Sequence, residues 1–251
     1  MTDIIKQWQA EETAAFQGWD FSRLDGRWDS PSPTWDYVAI VKSHLKDTDI
    51  LLDMGTGGGE VLFTIGHPHK NTYVTEAYEP NVELCRRVLA PLGITVVQTF
   101  LDDRLDQLPF EDEKFDIIIN RHESFDLNEI NRTLKPGGYF ITQQVGGKHC
   151  HELTKRLCDH EPDHPGHSLE EYAGTLKGLG FEIEKTADDK HFVKFFDVGA
   201  LVYYAKIIEW DFPNFSVENC LGPLMDCHRE IEENGFVQGT GGSFIIVARK
   251  P

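Results

Sequence analysis

Residues 53–59 read Asp-Met-Gly-Thr-Gly-Gly-Gly, with two leucines before them and Glu60-Val61-Leu62 after. An apolar strand that stops in glycines and restarts as a helix brings bare backbone amides together at one spot. Glycine permits positive φ and leaves no Cβ between the main chain and a ligand. The spacing Asp53-x-Gly55-x-Gly57-x-Gly59 differs from the dinucleotide fingerprint Gly-x-Gly-x-x-Gly, whose third glycine would fall on Glu60. Glu76 closes the next strand-like run, residues 72–77. A carboxylate at that distance can accept hydrogen bonds from both ribose hydroxyls of a nucleoside-bearing ligand. Glu79, in the turn before Pro80, is the competing acid. A second polar set, Asn120-Arg121-His122-Glu123-Ser124, ends the apolar run 115–120. His122 and Glu123 are the candidates for moving a proton, since histidine titrates near neutral pH. The plainer role for His122 is a hydrogen bond to backbone at a strand end.

Metal chemistry has a weaker basis. His149, Cys150, His151, Cys158, His160, His164 and His167 gather soft ligands in one stretch. No Cys-x-x-Cys or His-Glu-x-x-His spacing orders them, and Pro162 and Pro165 interrupt the segment. It reads as a polar loop, and no metal is expected. The five cysteines are scattered and odd in number, which favours reduced thiols in a cytoplasm. The first eight residues carry no basic region ahead of an apolar block, and no apolar run approaches a membrane span. A formal charge of −18 argues against broad adhesion to nucleic acid or anionic membrane.

The elements that position these groups follow from periodicity. Residues 3–16 have helical spacing, and 18–33 form an aromatic connector broken by Gly and Pro. Ser32-Pro33 reads as the start of a second helix. Strand and helix then alternate: helix 60–66, strand 72–77, helix 81–90, strand 94–100 and strand 115–120. Ser124 is placed to cap a helix through Leu127, Ile130 and Leu134. Lys135-Pro136-Gly137-Gly138 should stop that helix and launch strand 139–145. Ser168 opens a helix ending at Gly180, and strand 181–186 follows. An insertion with helices at 198–210 and 216–234 precedes the last strand, 243–249. Alternation of this kind implies a parallel doubly wound sheet. The aromatic residues Trp28, Trp35 and Tyr37 either cover one side of that sheet or line a lidded pocket.

The glycine run, taken with the order strand, helix, Leu134-Lys135-Pro136-Gly137-Gly138, strand, resembles the class I S-adenosyl-L-methionine (SAM) dependent methyltransferases. The resemblance is specific from residue 50 to about 145. It implies an α/β fold with a Rossmann-like doubly wound seven-stranded sheet, mostly parallel with an antiparallel last strand. The divisions expected are a helical N-terminal cap (1–48), a SAM-binding core (49–190), a C-terminal insertion or lid (191–241) and a last strand (242–251). By the same resemblance, Asp53, Gly55, Thr56, Gly57 and Gly59 shape the loop around the methionine part of SAM, and Glu76 holds the ribose. Asp102 or Asp103 meets the adenine, although Arg104 sits nearer the usual position. Asn120, Arg121 and His122 stand near the sulfonium and the methyl acceptor.

A small molecule enclosed by Trp28, Trp35, Tyr37 and the insertion is the expected acceptor. An rRNA or tRNA base is the alternative; it would need a clustered basic face, and no Asn-Pro-Pro-Tyr-like tetrapeptide follows the fourth strand. A non-catalytic SAM- or nucleotide-binding regulator would keep the glycine loop without an open acceptor pocket. A NAD-dependent oxidoreductase is disfavoured by the glycine spacing and by the order of the terminal strands.

Overall fold

The structure is a computed structural model that describes residues 2–15, 21–99, 107–161 and 166–251. Asp102, Asp103, Arg104, Pro162, His164 and Pro165 lie outside them. In chain order the elements are helix α1 (Thr2–Glu12), strand β1 (Trp28–Asp29), α2 (Tyr37–His44), β2 (Leu51–Met54), α3 (Glu60–Ile65), β3 (Thr72–Glu76), α4 (Glu79–Val88) and β4 (Thr95–Gln98). There follow β5 (Phe115–Arg121), α5 (Leu127–Thr133), β6 (Leu134–Val145), α6 (His151–Cys158), α7 (Leu169–Gly178), β7 (Glu182–Phe195), α8 (Val198–Ile207), α9 (Leu221–Asn234) and β8 (Val237–Arg249). The strand order is β1-β7-β8-β6-β5-β2-β3-β4, eight strands among the described residues where the sequence suggests seven. The additional one, β1, is two residues long and pairs antiparallel with β7.

Two compact units divide the chain. The larger comprises Pro33–Val145, Ser168–Asp188 and Ser243–Pro251. In it β6, β5, β2, β3 and β4 run parallel and β8 runs antiparallel to β6, as the Rossmann-like reading requires. Side chains alternate across these strands, so each strand serves two cores. Leu51, Val74, Ile117, Ile119 and Ile141 pack with Ile40, Val41, Leu62, Ile65 and Leu89. Leu52, Ile118, Phe140 and Ile246 pack on the other face with Ile130, Leu176 and Phe181. Both faces being covered explains why β5 reads as an unbroken apolar run. The chain enters at β2, moves outward through β3 and β4, and returns to β5 on the other side of β2. That reversal leaves a crevice at the carboxyl ends of β2 and β5, the usual ligand position in an open α/β sheet.

Several local expectations need correction. Helix α2 starts at Tyr37 and not at Ser32-Pro33, because the Asp36 carboxylate accepts the Ala39 N–H at 2.9 Å. Asp126, not Ser124, caps α5, accepting from the Asn128 and Glu129 amides at 2.7 and 2.9 Å. Lys135-Pro136-Gly137-Gly138 does not end before a strand; it is absorbed in β6 as a register shift between the pairs Phe115–Leu134 and Ile117–Tyr139.

The smaller unit comprises Met1–Ser32, Gly146–His167 and Asp189–Gly242. Its core joins Trp8, Leu153, Leu157, Phe195, Leu201, Tyr204, Phe212 and Leu224. Part of the stretch read as a polar loop is helix α6, which buries Leu153 and Leu157 one turn apart. Arg27 ties α8 to α1, with guanidinium bonds to Asp197 at 2.6 Å and Glu11 at 3.0 Å.

His149 in this unit accepts the Gly242 N–H on Nδ1 at 3.3 Å, and its ring lies 6.4 Å from that of His191. Burial, with His191 beside it, lowers its pKa to about 4. The unfolded chain therefore takes up this proton first, near pH 6.5, and stability is lost as pH falls from there toward 4. The loss expected is about 3 kcal/mol. Asp53, discussed below, acts in the opposite sense over part of that window. The quantity to measure is thus the difference in melting temperature between wild type and His149→Phe. The gap should shift in favour of the variant between pH 6.5 and 4, and a constant gap would refute the assignment.

Candidate cofactor and acceptor site

Strand β2 ends at Met54, and the loop that follows is shaped by three positive-φ glycines: Gly55 (+65°), Gly57 (+62°) and Gly59 (+85°). The Gly55 and Thr56 amides donate to the Thr75 carbonyl at 3.0 and 3.3 Å, which ties the loop to β3. Gly59 caps α3, and a Cβ there would stand 2.9 Å from Leu89. Gly57 differs: a Cβ on it would meet nothing within 4 Å. Its positive φ and open flank make it the place where a ligand can approach bare backbone. Gly55 is covered instead by Glu123, whose Oε2 lies 2.7 Å from the position of a Cβ on residue 55.

Carboxylates dominate the crevice. Asp53 is buried at the end of β2 and accepts the Thr56 hydroxyl at 2.7 Å. Glu76 is buried at the end of β3; its Oε1 accepts the Gly57 N–H at 3.1 Å and the Asn81 amide at 3.3 Å. Its Oε2 accepts the Ala77 and Tyr78 amides at 2.9 and 3.3 Å. Glu79, the competing acid, is exposed in the first turn of α4 and accepts from Gln98. Burial pushes Asp53 up to about 7, opposed by the Thr56 hydroxyl and reinforced by the charge on Glu76. Glu123 is also raised, by burial and then by Glu76. The Cys85 thiol, which donates to the Gly57 carbonyl at 3.1 Å, is driven to about 12 by burial and by the charges of Glu76, Asp53 and Glu60. All three are pushed upward first by burial, and the charge on Glu76 adds to each.

Strand β5 delivers the second polar set. The fully buried Asn120 accepts on Oδ1 from the Thr142 hydroxyl at 3.1 Å and from the Gln144 amide, while its own Nδ2 has no partner. Arg121 is exposed and lowers the pKa of both Asp53 and Tyr37, which places its charge near both. Tyr37 is buried, and its hydroxyl donates to the Asn120 carbonyl at 3.2 Å. His122 has φ +65°, a conformation uncommon outside glycine and enriched at functional sites. Its N–H donates to the Gln143 carbonyl at 2.9 Å, and its Nε2 lies 3.2 Å from the Gln143 amide nitrogen. Trp35 donates from Nε1 to Gln143 Oε1 at 2.8 Å.

The larger unit therefore holds Asp53, the glycines, Glu76, Asn120, Arg121, His122, Glu123, Trp35 and Tyr37 together. Trp28 belongs to the smaller unit, where it packs with Phe21, Phe195 and Tyr204 at ring distances of 5.7–6.2 Å. Sequence reasoning missed Thr142, Gln143 and Gln144, all buried on β6. Their signal was three consecutive polar residues inside a strand with both faces covered. Among the described residues no group of three or more His, Cys, Asp or Glu is placed to hold a metal, and no helix is long and apolar enough to cross a membrane.

Residues 52–142, which span β2 to β6 and contain the whole glycine loop, match the family described as a methyltransferase domain. This segment is a methyltransferase domain, and the fold around it is the one the class I SAM-dependent methyltransferases share. Sequence relatives include the ribosomal RNA small subunit methyltransferase G of Lachnoclostridium phytofermentans, 29% identical over 120 residues, covering 44% of this chain and 49% of the relative. Another is a phthiotriol/phenolphthiotriol dimycocerosates methyltransferase of Mycobacterium ulcerans, 30% identical over 105 residues, covering 36% and 40%. The chain thus spans less than half the length of these relatives. Solved structures with the same fold include a functionally unknown protein from Deinococcus radiodurans, with a TM-score of 0.61 at 10% identity, covering 100% of this chain and 99% of that one. The [4+2]-cyclase SpnF gives 0.52 at 17%, covering 99% and 92%. A cyclase among the fold's members means that fold alone does not assign a reaction.

Proposed function

We propose that the chain binds SAM in the crevice at the ends of β2, β3 and β5 and transfers its methyl group to a small-molecule acceptor. The observation that carries this reading is the bond from the Gly57 N–H to Glu76 Oε1, which makes the glycine loop and the acid of the next strand one cradle. The residues suit the ligand. The open flank of Gly57 admits a nucleoside or amino-acid moiety, the three carboxylates Asp53, Glu76 and Glu123 favour a cation, and Asn120 offers a buried unpartnered donor.

When bound, SAM supplies a methyl group already activated on positively charged sulfur. The protein's work is then alignment and exclusion of water. Asp53 and Glu123 would hold the cationic end and stabilise it by ionising. Glu76 has all four of its acceptor positions occupied, so it would take ribose hydroxyls by exchanging the two long bonds, at 3.3 Å, from Tyr78 and Asn81. Arg121 and His122 stand at the end of β5 where the acceptor would enter. The adenine contact expected of Asp102 or Asp103 stays an expectation from the sequence.

Calorimetric titration with SAM, S-adenosylhomocysteine and NAD in parallel tests the cofactor. Heat with the first two and none with NAD is expected; silence with SAM would end the reading. Methyl transfer from labelled SAM into small-molecule and RNA fractions then tests the acceptor. Label in the RNA fraction alone would favour the rRNA or tRNA alternative, against which the net charge of −18 weighs. Gly57→Ala should cost about 1 kcal/mol of stability through its positive φ but lower SAM affinity tenfold or more, because the added methyl occupies the open flank. Equal SAM affinities for wild type and variant would remove Gly57 from the site.

A further inference from the structure

We infer that Gln143 is a positioning residue that holds His122 with its proton on Nδ1 and its Nε2 lone pair covered, and that Trp35 dictates which way Gln143 faces. The indole N–H can only donate. At 2.8 Å from Gln143 it therefore selects the amide oxygen as its partner. The amide nitrogen is then turned toward His122, 3.2 Å from Nε2. An amide NH2 can only donate as well, so Nε2 must be the acceptor, and the ring proton of the neutral imidazole falls on Nδ1. The orientation of a glutamine is often arbitrary; here a donor-only neighbour fixes it. Gln143 holds His122 twice, since its carbonyl also takes the His122 N–H at 2.9 Å, and it is itself 4% exposed.

The consequence for chemistry, which rests on the methyltransferase reading above, concerns the acceptor. The one basic lone pair of His122 is engaged, so His122 takes no proton from the acceptor unless Gln143 is displaced. Glu123, the other proton-moving candidate, lies against Gly55 on the glycine loop and accepts from Ser124. The site thus suits an acceptor that arrives with its nucleophilic lone pair exposed, such as a neutral amine, a carboxylate or a thiolate, and not an alcohol that must lose a proton during attack.

The test reads the histidine directly. Long-range 1H–15N spectra of the full chain with 15N-labelled histidine report which ring nitrogen carries the proton, and His122→Asn assigns the signal. Wild type at pH 8 should show His122 protonated on Nδ1 alone. Gln143→Glu replaces the donor facing Nε2 with an acceptor, so Nε2 should become protonated. Trp35→Phe frees the amide to turn and should give a mixture of the two forms. Should Gln143→Glu fail to fold, Gln143→Leu serves: it removes the donor, and the wild-type preference for Nδ1 should be lost. A proton on Nε2 in wild type, or an Nδ1 form unmoved by the residue 143 variants, would overturn the inference. An unchanged Trp35→Phe spectrum would overturn the part given to Trp35. These spectra need no ligand, so a chain that binds no SAM would sink the proposed function and leave this assignment to stand or fall on its own readout.

Discussion

Glu76→Gln is expected to lower SAM affinity by at least a hundredfold and to reduce the stability of the free protein as well. Four donors converge on the Glu76 carboxylate: the amides of Gly57, Ala77 and Tyr78 and the side chain of Asn81. A carboxylate accepts on both oxygens. Glutamine would set an NH2 against one pair of those donors whichever way it turned. Hydrogen bonds to a buried charge contribute about 1.5–3 kcal/mol each, and leaving their donors unpaired costs a similar amount. Losing one pair of bonds is therefore worth about 3 kcal/mol, which is about a hundredfold in an equilibrium constant at 1.4 kcal/mol per tenfold. The loop carries the loss to the ligand, because the Gly57 amide is one of the donors. Calorimetry on both proteins measures the affinity, and a thermal melt measures the stability term. Wild-type affinity in the variant would show that Glu76 neither holds the loop nor meets the ligand.

The glycine loop was legible in the sequence because its physics is local. Positive φ at Gly55, Gly57 and Gly59 is a demand of the backbone that few other residue types can meet. The placement of Glu76 at a strand end and of Glu79 in a helix first turn was legible for a similar reason, since the two differ in residue pattern. Strand β5 announced itself by an apolar run that only a doubly covered sheet explains. What escaped was non-local. Trp35 and Gln143 are far apart in sequence, and nothing in either neighbourhood marks them as hydrogen-bond partners. Trp28 and Trp35 are alike in type and close in sequence, yet they belong to different units. Helix α6 was obscured because His and Cys in its sequence suggest ligands, while its apolar positions, Leu153 and Leu157, are only two. The caps of α2 and α5 were misplaced by four and two residues because Ser, Asp and Pro all signal a helix start and the chain offers several in succession.

Asp53→Asn should make the protein more stable and a poorer SAM binder at the same time. Asp53 carries a folded-state pKa of about 7, against about 3.9 for an unfolded aspartate. A group raised in this way favours folding below its unfolded pKa, and that contribution is lost as pH rises through 7. At pH 8.5 the folded protein must hold an ionised carboxylate in a buried place beside Glu76. An amide there removes the charge and still accepts the Thr56 hydroxyl, so the variant should gain about 4 kcal/mol at pH 8.5 and about 1.5 kcal/mol at pH 5. Melting curves of the two proteins should accordingly meet below pH 4, separate between about 4 and 7, and stay apart at a constant gap above 7, with the asparagine variant higher. A cationic ligand reverses the balance. It pulls Asp53 back to its ionised form, so binding at pH 7 should release about half a proton per site to the solvent. The apparent binding enthalpy should then vary among buffers of different ionisation enthalpy for wild type and not for Asp53→Asn, whose affinity should fall tenfold or more. An asparagine variant less stable than wild type at pH 8.5 would show that the Asp53 charge is already compensated within the free protein. The case for a cation-seeking crevice would then lose its strongest member, because an uncompensated buried carboxylate is what makes a positive ligand welcome there.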